Sequence, residues 1–446
     1  MSRLEPLLPA YDFSSAPVAV SLCQGSAELH FAGENHVGTG DVQFRFLPRP
    51  RVVINARFPA GPFSGFGLLF NERADEYFSF NGQKIEGFHA RCNANDNGLE
   101  VDWASNVEPM LFGDTTTTNT VAVVSHLFNF PDFRKGGHPD AAPIGCSLLI
   151  LESGEWRILL QSLPGNATHQ AWERINREGG SFLTHLMKLD RRDGSAFSEE
   201  DAAKQNVLIS NFLSFLKGGR CWAVCEVGLD TSGVVTWRSF ASPRISNPPY
   251  SWFDRFSGNQ AESLFPLFAG RWQQSDEWRD CLQHAIYWYT QANTSGGHPG
   301  IDSALILAQT ALERLAHHYA VVDRRLISAE GFKALKASDK LRMLFASLRI
   351  PTDIGPVTPG IQRLAGQFNW VDAPHAITHI RNSLVHPDNR KPVRDCYVEA
   401  WALSLWYLEL SILALCSYDG TYRNRLIARY AGQVEHVPWA STGGRA

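Results

Sequence analysis

The sequence predicts an α+β fold. An antiparallel β-rich, sandwich-like half spans residues 1–250 and an all-α helical bundle spans residues 262–446. The division rests on a change of hydrophobic period. Apolar residues alternate with period two from about residue 40 to 245, as strands with one buried face require, and beyond that the period becomes that of a helix. Between the two lies Ser246-Asn247-Pro248-Pro249, too rich in proline to continue regular structure, which places the junction between about 245 and 262. A chain of 446 residues suits two domains, at roughly 100–200 residues each.

In the β half, Val42, Phe44 and Phe46 alternate with Gln43 and Arg45, and Val52, Ile54, Ala56 and Phe58 alternate with a set containing Asn55 and Arg57. Further strands are expected at Lys84–Cys92, Leu99–Trp103 and Thr118–Phe130. Ser147–Leu151 and Trp156–Leu160 flank the turn Glu152-Ser153-Gly154-Glu155, and Cys221–Leu229 and Val234–Phe240 flank Asp230-Thr231-Ser232-Gly233, so each pair reads as a hairpin. One helix interrupts this region. Ser198 caps it, Asp201 completes the Ser-x-x-acid start, and Gly218-Gly219 stops it.

In the helical half, Asp276–Gln291 is the first helix and Asp302–Val321 the second, with Leu305, Ala308, Leu312, Leu315 and Tyr319 on one apolar stripe. Lys333–Leu348 is the third. The fourth starts at an Asp372 cap, tolerates Pro374 in its first turn and ends at Val385 before Pro387. Val393–Tyr418 is the fifth and most apolar; Glu399 and Glu409 within it argue for a buried core helix rather than a membrane span. Trp401 and Trp406 are expected to fill the core.

Composition narrows the function. The formal net charge is -4, which excludes a polybasic mode of nucleic-acid binding but leaves room for a local basic groove. The first residues, Met1-Ser2-Arg3-Leu4-Glu5-Pro6, hold no apolar run of the kind a signal peptide needs, and the eight cysteines form no C-x-x-C pair. The expectation is a cytoplasmic protein with reduced thiols.

The most informative string is Ile380-Arg381-Asn382-Ser383-Leu384-Val385-His386-Pro387. A bare Arg-x4-His is expected about once by composition, and Arg279 to His284 is a second match; requiring Asn after Arg lowers the expectation to about 0.05 per chain. Asn382 and His386 are one helical turn apart, and Arg381 is long enough to reach the same groove. All three can address one phosphate. Histidine exchanges protons near neutral pH, and an arginine fork donates two hydrogen bonds to phosphate oxygens. A structural role, capping helix carbonyls in a bundle, suits the same residues.

A helical bundle carrying Arg-Asn-x-x-x-His resembles the HEPN domain, within whose Arg-x4-6-His pattern the spacing falls. The helix containing Ala-Leu-Glu-Arg-Leu-Ala at 311–316 and the ending Tyr418-Asp419-Gly420-Thr421-Tyr422-Arg423-Asn424-Arg425-Leu426 are similar to segments of bacterial HEPN proteins. A β-rich region ahead of such a bundle is similar to ApeA-like proteins of abortive-infection, anti-phage defence. The resemblance covers roughly residues 270–430. It implies a metal-independent endoribonuclease that needs no cofactor. His386 would move the proton, Arg381 would stabilise the phosphorane, Asn382 would orient either, and a 2′,3′-cyclic phosphate would be left. It further implies a homodimer through the helical domain, RNA as substrate with tRNA a candidate, and a phage-derived trigger sensed by the β half. The alternative is a non-catalytic HEPN scaffold with a ligand-binding β domain.

Glu313, off the apolar stripe, is a candidate partner of Arg381 or an ordinary helix-surface acid beside His317. Arg423, Arg425 and Arg429 lie in a stretch without acids and are candidate RNA-backbone contacts, or a plain solvated face. His375 and His379 are one turn apart, but Ala376 stands where a zincin needs Glu, so no metal site is expected. Gly296-Gly297-His298-Pro299-Gly300 lacks the Lys-Ser/Thr of a phosphate-binding loop.

Overall fold

The computed structural model describes residues 4–13, 19–31, 34–59, 77–95, 98–133, 142, 145–165, 167–248, 250–296, 300–386, 392–427, 430 and 432–440. It is an α+β fold in three layers: a first antiparallel sheet, a second antiparallel sheet, and a helical bundle.

The first sheet has seven strands in the order β5-β4-β1-β2-β3-β7-β6. They are β1 (Ala19–Phe31), β2 (Glu34–Arg45), β3 (Arg51–Pro59), β4 (Tyr77–Phe80), β5 (Gln83–Ile85), β6 (Gly87–Asn95) and β7 (Gly98–Ser105). Its inner face sets Val42, Phe44, Ile54, Phe58 and Trp103 into a core shared with the second sheet. Its outer face is polar. Arg45 forks onto Asp102 at 2.5 and 2.6 Å, and Asn55 donates to Asp102 at 2.8 Å.

The second sheet has the order β10-β11-β12-β9-β13-β14-β8, also seven strands. These are β8 (Met110–Gly113), β9 (Ala122–Phe128), β10 (Leu148–Ser153), β11 (Trp156–Ser162), β12 (Leu183–Arg191), β13 (Val224–Leu229) and β14 (Val235–Phe240). Both hairpins predicted here form, β10 with β11 and β13 with β14. Phe128 and Leu186 turn toward the first sheet, while Val123, Leu127, Met187 and Leu189 turn toward the helices. Burial on two faces erases the simple alternation in β9, β11 and β12.

Two helices attend the sheets, α1 (Ala167–Glu178) and α2 (Glu199–Lys217). The latter starts with the predicted capping box of Ser198 and Asp201 and ends at a left-handed Gly218. The bundle comprises α3 (Asn259–Gln273), α4 (Asp276–Ser295), α5 (Ile301–His317), α6 (Ala329–Ala334), α7 (Ala337–Ser347), α8 (Pro359–Phe368), α9 (Ala373–Val385) and α10 (Tyr397–Leu415). A short two-stranded ribbon, β15 (Thr421–Tyr422) with β16 (Glu435–His436), closes the described chain.

The structure departs from the sequence reading at identifiable places. The β region begins at Ala19 rather than near 40, because a register shift between Ser21 and Cys23 changes which parity of β1 faces inward. The expected helix Lys333–Leu348 is two, broken where Leu335 and Lys336 take extended backbone. The expected Asp302–Val321 helix loosens into a π-helical turn at His318–Asp323, and Val393–Tyr418 is a 3-10 turn at Arg394–Cys396 followed by α10. Helices α1, α3 and α8 were not anticipated. The apolar α10 packs mostly inside the fold, with Trp401 donating to Ala292 O and Trp406 to Tyr422 Oη.

One hydrophobic cluster runs from the second sheet through α2 into every helix from α3 to α10. A polar joint crosses the same region. Arg425 and Glu409, both with side chains 0% exposed, are paired at 2.5 and 2.8 Å. Tyr289 Oη donates to the same carboxylate at 2.5 Å, and Arg425 donates to Asn293 Oδ1 at 3.3 Å. Asn293 Nδ2 then donates to Gly218 O at 2.8 Å and Tyr250 O at 3.0 Å. Arg425 is thus a buried structural residue, not the RNA-backbone contact the sequence nominated; a carboxylate at the centre of α10 claims its charge.

Removing one member of such a pair leaves the other charged and buried. Arg425→Met is expected to cost about 3–5 kcal/mol, and Glu409→Gln added to it to recover part of the loss, measured by denaturant unfolding. Gly218→Ala is expected to lower the melting temperature as well, since Gly218 has φ 73° and a Cβ there would lie 2.7 Å from Asn293 Nδ2.

A second set of buried groups gives a pH dependence. His185 is 0% exposed, stacks on Phe133, and finds no hydrogen-bond partner for either ring nitrogen. Burial pushes its pKa down to about 3 from 6.5. The unfolded chain therefore takes up the proton first, so stability is full above the unfolded value and lost as pH falls from there toward the folded one. His185→Phe is expected to raise the melting temperature more at about pH 4.5 than at about pH 7.5, read by calorimetry.

Candidate active site

The site is built on α9, and its position is secured before any functional residue appears. Asp372 caps the helix by accepting from His375 N at 2.8 Å, and it is held in turn by the Arg342 fork at 2.6 and 3.1 Å. Pro374 sits in the first turn, where its missing N–H costs nothing. Ala373, Ala376, Ile377, Ile380 and Ser383 make the buried face, and Gln309 Nε2 of α5 donates to Ile377 O at 2.6 Å. One turn further along both helices the contact repeats with charge: Arg381 Nη2 donates to Glu313 Oε1 at 2.6 Å.

Arg381 also donates from Nη1 to Asn382 Oδ1 at 3.2 Å. Two arms of the guanidinium are therefore oriented by two different helices, and Arg381 and Glu313 are 21% and 27% exposed. The pair lies at the protein surface, within reach of a ligand. Burial of this degree makes it worth more than a fully solvated pair but far less than the Arg425 joint.

His386 stands at the end of α9. Its N–H donates to Asn382 O at 3.0 Å, and its side chain is exposed. Its backbone is extended, φ -109° and ψ 106°, so His386 has left the helical geometry that would set it directly over Asn382. The residue before a proline is pushed out of the helical region by the ring, which accounts for the departure.

The other sequence candidates divide. Glu313 pairs with Arg381 rather than His317, which packs edge-on against Phe332. Arg423 is half-buried with its guanidinium 5.3 Å from the Tyr250 ring, and its N–H donates to Trp252 O. Arg429, like residues 297–299 of the Gly-rich loop, lies outside the described residues. His379 accepts from Trp370 Nε1 at 2.8 Å, and among the described residues no group of three or more His, Cys, Asp or Glu is arranged to hold a metal ion. Two residues that sequence reading missed position the site, Gln309 and Arg342. The spacing of Gln309 four before Glu313 on one helix face was the available signal.

A double-mutant cycle tests the clamp. Glu313→Ala and Arg381→Ala are each expected to destabilise by about 1 kcal/mol, with a coupling of about 0.5–1 kcal/mol that shrinks in high salt.

Comparison with known proteins addresses this half of the chain and the second sheet. Residues 115–251 match the YopA central domain and residues 275–436 match the YopA C-terminal domain. The chain is 30% identical over 300 residues to the SPbeta prophage-derived uncharacterized protein YopA of Bacillus subtilis (strain 168), an overlap that covers 65% of this chain and 65% of that relative. No solved structure matches. The chain is therefore similar to YopA in its second sheet apart from β8 and in its helical bundle from α4 onward, the part that carries Glu313, Arg381, Asn382 and His386, while the first sheet lies outside both matched domains.

Proposed function

We propose that the helical half is a metal-independent endoribonuclease of the HEPN type. The observation that carries this reading is the Arg381 guanidinium, oriented by Glu313 and Asn382 at the surface end of a rigid helix whose next exposed polar side chain is His386. The chemistry is transesterification. The RNA 2′-oxygen attacks the adjacent phosphorus, its proton passes to a base, and the 5′-oxygen leaves with a proton from an acid. His386 supplies the proton transfer and Arg381 donates to the phosphoryl oxygens as charge builds on them. Asn382, bonded to Arg381 through its side chain and to His386 through its carbonyl, keeps the two in register.

The setting is host–phage conflict. A prophage-derived relative accords with an abortive-infection role in the cytoplasm, in which the β half senses a phage-derived trigger. A homodimer through the helical half would bring two copies of α9 together and offset a net charge of -4 at the RNA. A second reading, a non-catalytic HEPN scaffold, is favoured by one feature: Glu313 already balances the charge of Arg381.

Purified protein is expected to cleave total cellular RNA or tRNA in EDTA, leaving 2′,3′-cyclic phosphate ends. His386→Ala and Arg381→Ala are each expected to slow cleavage by about 10²–10⁴-fold without loss of folding. Absence of cleavage, together with unchanged behaviour of His386→Ala in phage-challenged cells, selects the scaffold reading.

A further inference from the structure

A cleft of about 530 Å³ opens where α1 stands away from the seam between the two sheets. Phe13, Phe46, Leu163 and Phe182 form its apolar walls, and Gln170, Arg174 and Glu178 of α1 edge it. The size and the mixture of ring walls with few polar groups are those of small-molecule sites. An apolar concavity of this volume offers hydrophobic surface that a ligand would remove from water.

The polar groups define what would fit. The Arg174 guanidinium lies 4.2 Å from the Phe182 ring centroid, so the cleft already holds a cation against an aromatic face. Its ionic partner is Glu178, 3.6 Å away one turn along the helix, and both side chains are more than half exposed. Such a pair is weak, which leaves Arg174 free to turn a donor toward an anion. Gln170 is exposed on the same helix face, one turn before Arg174. Below them the chain turns through Gly179 and Gly180, φ 71° and 86°, which add no side chains of their own there.

We propose that this cleft binds a small planar aromatic molecule bearing an anionic group, its ring between Phe46 and Phe182 and its anion on Arg174 and Gln170. The site belongs to the β half and stands independently of whether the helical half cuts RNA.

Anilinonaphthalene sulfonate, an aromatic ring system with an anionic group, is the probe. Full-length protein is expected to give saturable one-to-one fluorescence enhancement. Gln170→Trp, which places an indole over the cleft, and Arg174→Met, which removes the cation, are each expected to weaken binding at least about tenfold. Both positions are exposed, so melting temperature should be unchanged. Naphthoate should compete and decanoate should not. Non-saturable enhancement, or equal affinity in both variants, overturns the site, and displacement by decanoate as effective as by naphthoate overturns the aromatic ligand class. RNA cleavage by the variants reports separately on the helical half, so neither result decides the other.

Discussion

The Arg425–Glu409 pair ties together segments that are far apart in sequence. Glu409 lies at the centre of the most apolar helix, where an unpaired carboxylate would be strongly unfavourable, and the only described cation bonded to it comes from the chain beyond that helix. Tyr289 takes one of the remaining acceptor positions. The pair therefore dictates that the segment after α10 return to the bundle centre, and the Tyr422 and Asn424 bonds to Glu435 fold it down there. Asn293 extends the constraint to the C-cap of α2, so the polar joint begins in the C-terminal segment and ends in the β half.

This joint lies beside an apolar cluster that belongs to neither half alone. Phe212 of α2 meets Phe265 and Phe268 of α3, and Phe215 meets Trp252 and Tyr289. The second sheet is the middle layer, apolar on both faces, and a displacement of α2 would be felt by the first sheet through Phe128 and by the bundle through Phe215. Close packing transmits such shifts rather than absorbing them. If the β half senses a trigger, the second sheet and α2 are the physical route by which the helices would respond.

Local features of the chain were readable before folding and long-range ones were not. Ser198 with Asp201, Asp372 with Pro374, and the Gly154 and Gly233 turns act within a few residues, so their outcomes follow from residue type. The β1 bulge hides its alternation, and β12, where no strand is expected, loses its own because helices cover one face and the first sheet the other. In the candidate site, the proximity of Glu313 to Arg381 was one of two open alternatives, decided by the packing of α5 on α9. The fate of Arg425 was invisible, since three arginines in an acid-free stretch look alike until one meets a carboxylate sixteen residues earlier.

The two arginine–carboxylate pairs make opposite use of the same chemistry. At Arg425 no side-chain surface remains, so all of its hydrogen-bonding capacity serves the fold. At Arg381, Glu313 takes one Nη2 proton and Asn382 one Nη1 proton, and a guanidinium carries five, two on each of those nitrogens. A second proton remains on each nitrogen of a fork whose orientation is already set, so a phosphate can be met without loss of the clamp. Glu313 then does more than balance charge. On the nuclease reading proposed above, it would lower the affinity of Arg381 for anions in the ground state while fixing the geometry in which the guanidinium acts, and the benefit would grow as negative charge develops on the phosphoryl oxygens. On that proposal, a carboxylate that weakens simple anion binding while orienting the guanidinium suits catalysis better than storage of a ligand.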